Sequence, residues 1–128
     1  MTKTIISVLI GMVLLSGCVG PLVPIVKVSE KDIAQIQNVK VYDNYNLPSP
    51  NAAIIKDAVT YSCKNKLWSK DATNEDAIDQ MKVLAIRQGG DAVFIERCEI
   101  TFAYGSSGIN GNCWSLITCN GQILNDAK

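Results

Sequence analysis

Residues 92–104 read AVFIERCEITFAY, residues 105–112 read GSSGINGN and residues 113–119 read CWSLITC; this run decides the fold. The first part is rich in Val, Phe, Ile and Thr, which suit a pleated, half-buried surface, and it predicts a strand. The Gly/Ser/Asn run is a loop, and the third part is the returning strand. The two strands carry Cys98, Cys113 and Cys119, and Cys63 lies upstream. Four thiols in a small exported domain predict two structural disulfides more readily than a metal site. No pair has CxxC spacing, which weakens the redox-enzyme and zinc-ribbon readings.

Four cysteines allow three connectivities. Six residues of extended chain hold Cys113 and Cys119 about 20 Å apart. A disulfide needs Cα atoms within about 7 Å, so that pair is excluded unless the segment folds back. If Tyr104 faces Cys113 across the loop, Cys98 falls directly opposite Cys119, where a disulfide can form. Cys63 is then left for Cys113. A bulge in the hairpin would shift this count and leave the remaining pairing, Cys63–Cys119 with Cys98–Cys113, open.

Export is read from the N-terminus. Lys3 is followed by twelve uncharged residues, 4–15, too few to span a bilayer and suited to a signal-peptide core. The run ends in Leu15-Ser16-Gly17-Cys18, which resembles a bacterial lipobox whose Cys accepts a diacylglyceryl group before cleavage. Residues 1–17 are thus expected to be removed and Cys18 to be lipidated, leaving 111 residues. Lys3 is the only charge lost, so 11 basic groups face 12 acidic ones in the mature chain. Each buried CH₂ contributes about 0.8 kcal/mol, so three acyl chains, palmitate among them, anchor durably. By resemblance to Gram-negative sorting, Val19 in place of Asp favours export onward to the outer membrane; in a Gram-positive host the same motif means the outer face of the plasma membrane.

Residues 18–37 read as a short tether, with Pro21 and Pro24 near its start and Ser29-Glu30-Lys31-Asp32 capping one helical turn. Val39-Lys40-Val41-Tyr42 alternates as a first strand, residues 44–51 are a turn or loop, and Ile54-Ile55 and then Ala58 to Cys63 suggest a second strand. The main helix begins at Thr73 or Asn74, where a cap and the acids Glu75 and Asp76 meet the positive end of the dipole. Ala77, Ile78, Met81, Leu84 and Ala85 make its apolar face, and Gly89-Gly90 ends it. The order β, β, α, β, β predicts a compact α+β domain over residues 38–128: one main helix on a small, mostly antiparallel sheet.

Several chemistries are excluded or disfavoured. Twelve Lys+Arg against twelve Asp+Glu give no basic field for nucleic acid, and the absence of His removes imidazole catalysis and His-ligated zinc. Gly105, Gly108 and Gly111 precede a strand with no Lys-Ser/Thr pair, so they form no phosphate loop. Asp71, Glu75, Asp76 and Asp79 read as helix-start and solvent-face acids rather than a catalytic pair. No catalytic residue, metal ligand or cofactor is expected. Trp68 and Trp114 read first as core or disulfide-shielding residues, with partner anchoring as the alternative.

Residues 39–128 resemble the periplasmic domain of the RcsF-like outer-membrane stress-sensor lipoproteins of the Rcs phosphorelay. The resemblance rests on Val39-Lys40-Val41-Tyr42, the segment ending at Cys63, the Met81 helix running into Gly90-Asp91-Ala92-Val93, and Arg97-Cys98-Glu99-Ile100-Thr101. It closes on Cys113 to Cys119 and Asn120-Gly121-Gln122-Ile123-Leu124-Asn125. It implies the pairs Cys63–Cys113 and Cys98–Cys119, the same pairs that the hairpin register favours. It implies a lipid-anchored periplasmic sensor without chemistry of its own, associated with the barrel-assembly machinery and outer-membrane barrels. Such a sensor contacts an inner-membrane negative regulator of a histidine-kinase phosphorelay. The alternative is a structural or interaction lipoprotein of the same fold that binds another envelope partner; a thiol oxidoreductase is the remote third reading. Two features depart from the family: a tether of about 20 residues, reaching at most about 70 Å, and the Gly/Ser/Asn insertion before Cys113.

Overall fold

A computed structural model describes residues 25–66, 68–102 and 113–126. The signal segment, Cys18 and the loop at residues 103–112 lie outside the described residues, as does the Tyr104–Cys113 pair expected to close the hairpin. The elements in chain order are α1 (Glu30–Ile36), β1 (Lys40–Tyr42), β2 (Ala53–Lys64), α2 (Asn74–Arg87), β3 (Ala92–Phe102) and β4 (Ser115–Asn125). The strands form one mixed sheet in the order β1-β3-β4-β2. The pairings β3–β4 and β4–β2 are antiparallel, and β1 joins β3 in parallel. The expected α+β class, with one main helix on a mostly antiparallel sheet, is therefore what the chain adopts.

Local chemistry sets the ends of α2. Thr73 Oγ1 accepts a hydrogen bond from the Asp76 N–H at 3.1 Å, satisfying one of the free donors of the first turn. At the far end Gly89, with φ +77°, takes the left-handed conformation that Cβ-bearing residues avoid. The Gly89 N–H then donates to the Ile86 carbonyl at 3.1 Å and the Gly90 N–H to the Ala85 carbonyl at 2.7 Å, a Schellman closure. Between these ends Ala77, Met81 and Ala85 are fully buried, one residue per helical turn. They pack with Val39, Ala58, Val93, Ile95, Ile117, Cys119 and Ile123, while Ile78 and Leu84 flank the cluster. The predicted apolar face is thus the helix–sheet interface.

Two bulges re-aim the strands. In β3 the register passes from Ile95↔Gly121 to Arg97↔Asn120, leaving Glu96 without an opposite residue. Strict alternation would send Ile95 and Cys98 to opposite faces. The extra residue resets the phase, so Ile95 and Cys98 both reach the helix side with Gly121 and Cys119 opposite them. Beside the bulge Gly121 has no room for a side chain: a Cβ would fall on the Phe94 carbonyl oxygen and 3.0 Å from Met81 Sδ. A second irregularity at Ile55 shifts the β2–β4 pairing between Ile54 and Lys56.

The N-terminal region differs from the expected tether. The helical turn read at Ser29 is a seven-residue helix, closed by a capping box between Ser29 and Asp32. It lies against α2. Ile36 and Val83 are buried but stand outside the sheet-facing cluster. Val83 shares an α2 face with Gln80 and Arg87, by i, i+3, i+7 spacing. Arg87 Nη2 donates to the Lys27 carbonyl at 3.2 Å and meets Asp32 Oδ2 at 3.5 Å. Residues 25–37, part of the stretch read as a tether, are thus a strap docked on α2.

Candidate functional site

The stapled end of the sheet holds the four framework cysteines. Cys98 and Cys119 are directly opposite in the β3–β4 ladder, with Cα atoms 4.1 Å apart, and form one disulfide. Cys63, near the end of β2, bonds to Cys113, just before β4, across 5.4 Å. The returning strand begins at Ser115 rather than at Cys113 and continues to Asn125. Between Arg97 and Phe102 the ladder has the register that places Cys98 on Cys119. The bulge that would have upset the count lies at Glu96, beyond the cysteine, and leaves the pairing intact. Cys113 and Cys119 are buried, and Trp114 is half-buried beside the first staple, its N–H donating to the Lys64 carbonyl at 2.6 Å. Each bond thus joins one buried cysteine, Cys113 or Cys119, to one half-buried one, Cys63 or Cys98.

Trp68 does not have the core or shielding role expected of it. It is 82% exposed, in a turn closed by Ser69, whose Oγ donates to the Lys66 carbonyl at 2.8 Å. The Lys66 ammonium lies 5.9 Å from its ring centroid. The acids near the start of α2 are spread among ion pairs: Asp71 with Lys64 at 2.6 Å, Asp76 with Lys70 at 3.8 Å and Asp79 with Lys82 at 3.6 Å. Among the described residues no group of three acidic or Cys side chains converges as a metal site would need. Among them, too, no helix is long and apolar enough to cross a membrane.

Beneath the strap is a groove of about 640 Å³, lined by Ile25, Val28, Ile33 and Ile36 on one side and Cys63 and Gln80 on the other. Gln80 is buried and bridges it. Its Oε1 accepts from the Val26 N–H at 3.1 Å, and its Nε2 donates to the Tyr61 carbonyl on β2, the outer strand. The side-chain amide thus supplies the hydrogen bonds that a neighbouring strand would make, which is why a buried Gln is tolerated here.

At the opposite end a polar knot ties β1 to the end of β4. Tyr42 Oη donates to Asp126 Oδ2 at 2.6 Å, Lys40 Nζ reaches the same oxygen at 3.3 Å, and the Asp126 N–H donates to Asp91 Oδ1 at 2.7 Å. The Tyr42 hydrogen bond, helped by Lys40, holds the Asp126 carboxyl below the usual carboxylate range. The same carboxylate raises the pKa of Tyr42 and of Lys40. This residue set anchors an edge strand.

The Asp126 knot, the Gln80 bridge and the turn at Asp43 have no signature in the sequence. Each joins residues 50 or more apart, or rests on a lone polar side chain, and leaves no periodic trace. No family model matches the chain, and no curated protein matches it.

Proposed function

We propose that this protein is a non-enzymatic outer-membrane lipoprotein, anchored through acylated Cys18, with its domain in the periplasm. It senses envelope stress and signals by contact to an inner-membrane negative regulator of an Rcs-type phosphorelay. The observation that carries this reading is the crossed disulfide pair, Cys63–Cys113 with Cys98–Cys119, in a small α+β domain that follows a lipobox-like Leu15-Ser16-Gly17-Cys18. Oxidised staples fit an oxidising compartment, and the pairing is the one that the RcsF-like resemblance implies. Induced expression in a host lacking its own sensor is expected to activate an Rcs-type reporter. Silence, with the protein folded and at the outer membrane, contradicts the reading.

The docked strap favours a second reading beside it. Only six residues separate Cys18 from Ile25, the first described residue of the strap, so the anchor reaches at most about 25 Å from it while the strap is seated. That length suits a partner at the same membrane, as for a structural or interaction lipoprotein. Signalling across the envelope requires the strap to leave α2, which extends the reach to about 70 Å. Crosslinking in intact cells separates the two by whether an inner-membrane regulator or an outer-membrane protein is recovered.

A further inference from the structure

The connection between β1 and β2 displays two apolar side chains on a backbone with little freedom. Asp43 Oδ1 accepts from the N–H groups of Tyr45 at 2.8 Å and Asn46 at 2.9 Å, and the backbones of Asp43 and Asn46 exchange two further hydrogen bonds, 3.0 and 3.2 Å long. Asn44 Nδ2 donates at 3.2 Å to the carbonyl of Glu96, the residue that the β3 bulge takes out of register. Pro48 and Pro50 fix φ in the following stretch, and the Ala52 N–H closes it on the Ser49 carbonyl at 3.0 Å. On this support Tyr45 is 100% exposed and Leu47 67% exposed.

A loose loop can fold such side chains back onto the sheet; this one is tied at both ends and in its middle. With its backbone already ordered, the turn has little backbone freedom left to lose on binding, and Tyr is among the residues that most often dominate interface energies. The tip is convex and therefore calls for a concave partner. Its neighbours Asp43 and Glu96 are exposed acids that make no salt bridge among the described residues. The Asp43 carboxylate within the turn, with acidic Glu96 on the strand residue that Asn44 grips, opposes insertion into a phosphate-bearing leaflet and complements a cationic rim.

We propose that the turn at residues 43–47 is a docking tip, which seats Tyr45 and Leu47 in an apolar pocket rimmed by Lys or Arg on a partner protein. The inference rests on the contact-based function above and names the surface through which the contact is made. The hydrogen bond from Asn44 to the Glu96 carbonyl fixes the tip against β3, past the end of its pairing with β1.

The test places a benzophenone probe on the tip of the full-length lipoprotein in intact cells, as Tyr45→p-benzoylphenylalanine, with the same probe at Trp68 as control. Irradiation is expected to give one protein adduct from the tip and not from Trp68, mapping to an apolar pocket beside Lys or Arg. Adding Leu47→Ala should lower its yield at least tenfold. Adducts to lipid alone, no adduct, or one indifferent to Leu47→Ala overturns the proposal. An Rcs-type reporter read in the same cells keeps the two claims apart. An adduct with a silent reporter leaves the tip standing and removes the signalling role; an active reporter without an adduct does the reverse. Tyr45→Ala and Leu47→Ala should melt with the parent, because neither side chain is packed.

Discussion

Removing the Cys98–Cys119 staple tests how the fold is held. Both positions should be changed to Ala together, because a lone Ser at Cys119 would bury an unpartnered hydroxyl and add a second effect. The bond closes a separation of 21 residues. The chain-entropy account assigns such a loop about 3 kcal/mol at 25 °C, and the 50-residue Cys63–Cys113 loop about 4 kcal/mol. In a domain near 100 residues each kcal/mol moves Tm by about 4–8 °C, so C98A/C119A should melt about 12–24 °C below the parent. C63A/C113A should melt lower still, because its staple joins β2 to the approach to β4 over the longer loop. Thermal melts followed by far-UV circular dichroism, with and without reductant, give the answer. Reduced parent and the variant with all four framework cysteines changed should coincide. A double variant melting within about 2 °C of the parent would refute the claim that the staples stabilise the fold by restricting the unfolded chain.

Gly121→Val should cost more than the 1–3 kcal/mol usual for overpacking, since its Cβ meets the Phe94 carbonyl and not a movable side chain; urea denaturation showing a loss below about 1 kcal/mol would contradict the close approach. Asp126, with its depressed pKa, contributes stability that is complete above the ordinary carboxylate range and is lost as pH falls through its lower folded value. Tyr42, with its raised pKa, contributes below pH about 10 and loses this as pH rises through its folded value. The stability gap between parent and Tyr42→Phe should therefore be level from about pH 5 to 9 and narrow beyond both ends; a gap unchanged down to pH 2 would remove the Asp126 link. Gln80→Ala should undock the strap, raising amide hydrogen exchange over residues 26–36 at least tenfold while the β3–β4 ladder stays protected. Uniform protection in that variant would mean that the strap is held by something else.

Much of this architecture is legible in the residues, for local reasons. Thr73 and Gly89 mark the ends of α2 because capping depends on side chains within a few positions. The apolar stripe of α2 and the alternation in β1 are periodic and survive averaging. The staple Cys98–Cys119 is legible because a hairpin register counts outward from its loop, and among the described residues the β3–β4 irregularity comes after the cysteine. Other features lack such a signal. The continuation of β4 through Asn120 and Gly121 is hidden because Asn-Gly ordinarily marks a turn; here Gly is required by the Phe94 carbonyl and not by a change of direction. The parallel partnership of β1 with β3 joins segments about 50 residues apart and has no local signature. Strap docking depends on Gln80 and Arg87, two polar residues that on a helical wheel read as solvent-facing. Trp68 is exposed in a turn, a placement that its hydrophobicity alone does not signal.

The central claim is that an acylated, exported domain holds its shape with crossed disulfides and works by contact. Its most direct test is mass spectrometry of the unreduced protein extracted from membranes, intact and after proteolysis. The account predicts a chain beginning at Cys18 with acyl mass added, and two cross-linked peptide pairs, Cys63 with Cys113 and Cys98 with Cys119. An unprocessed N-terminus without lipid, or framework cysteines recovered as free thiols, would contradict it.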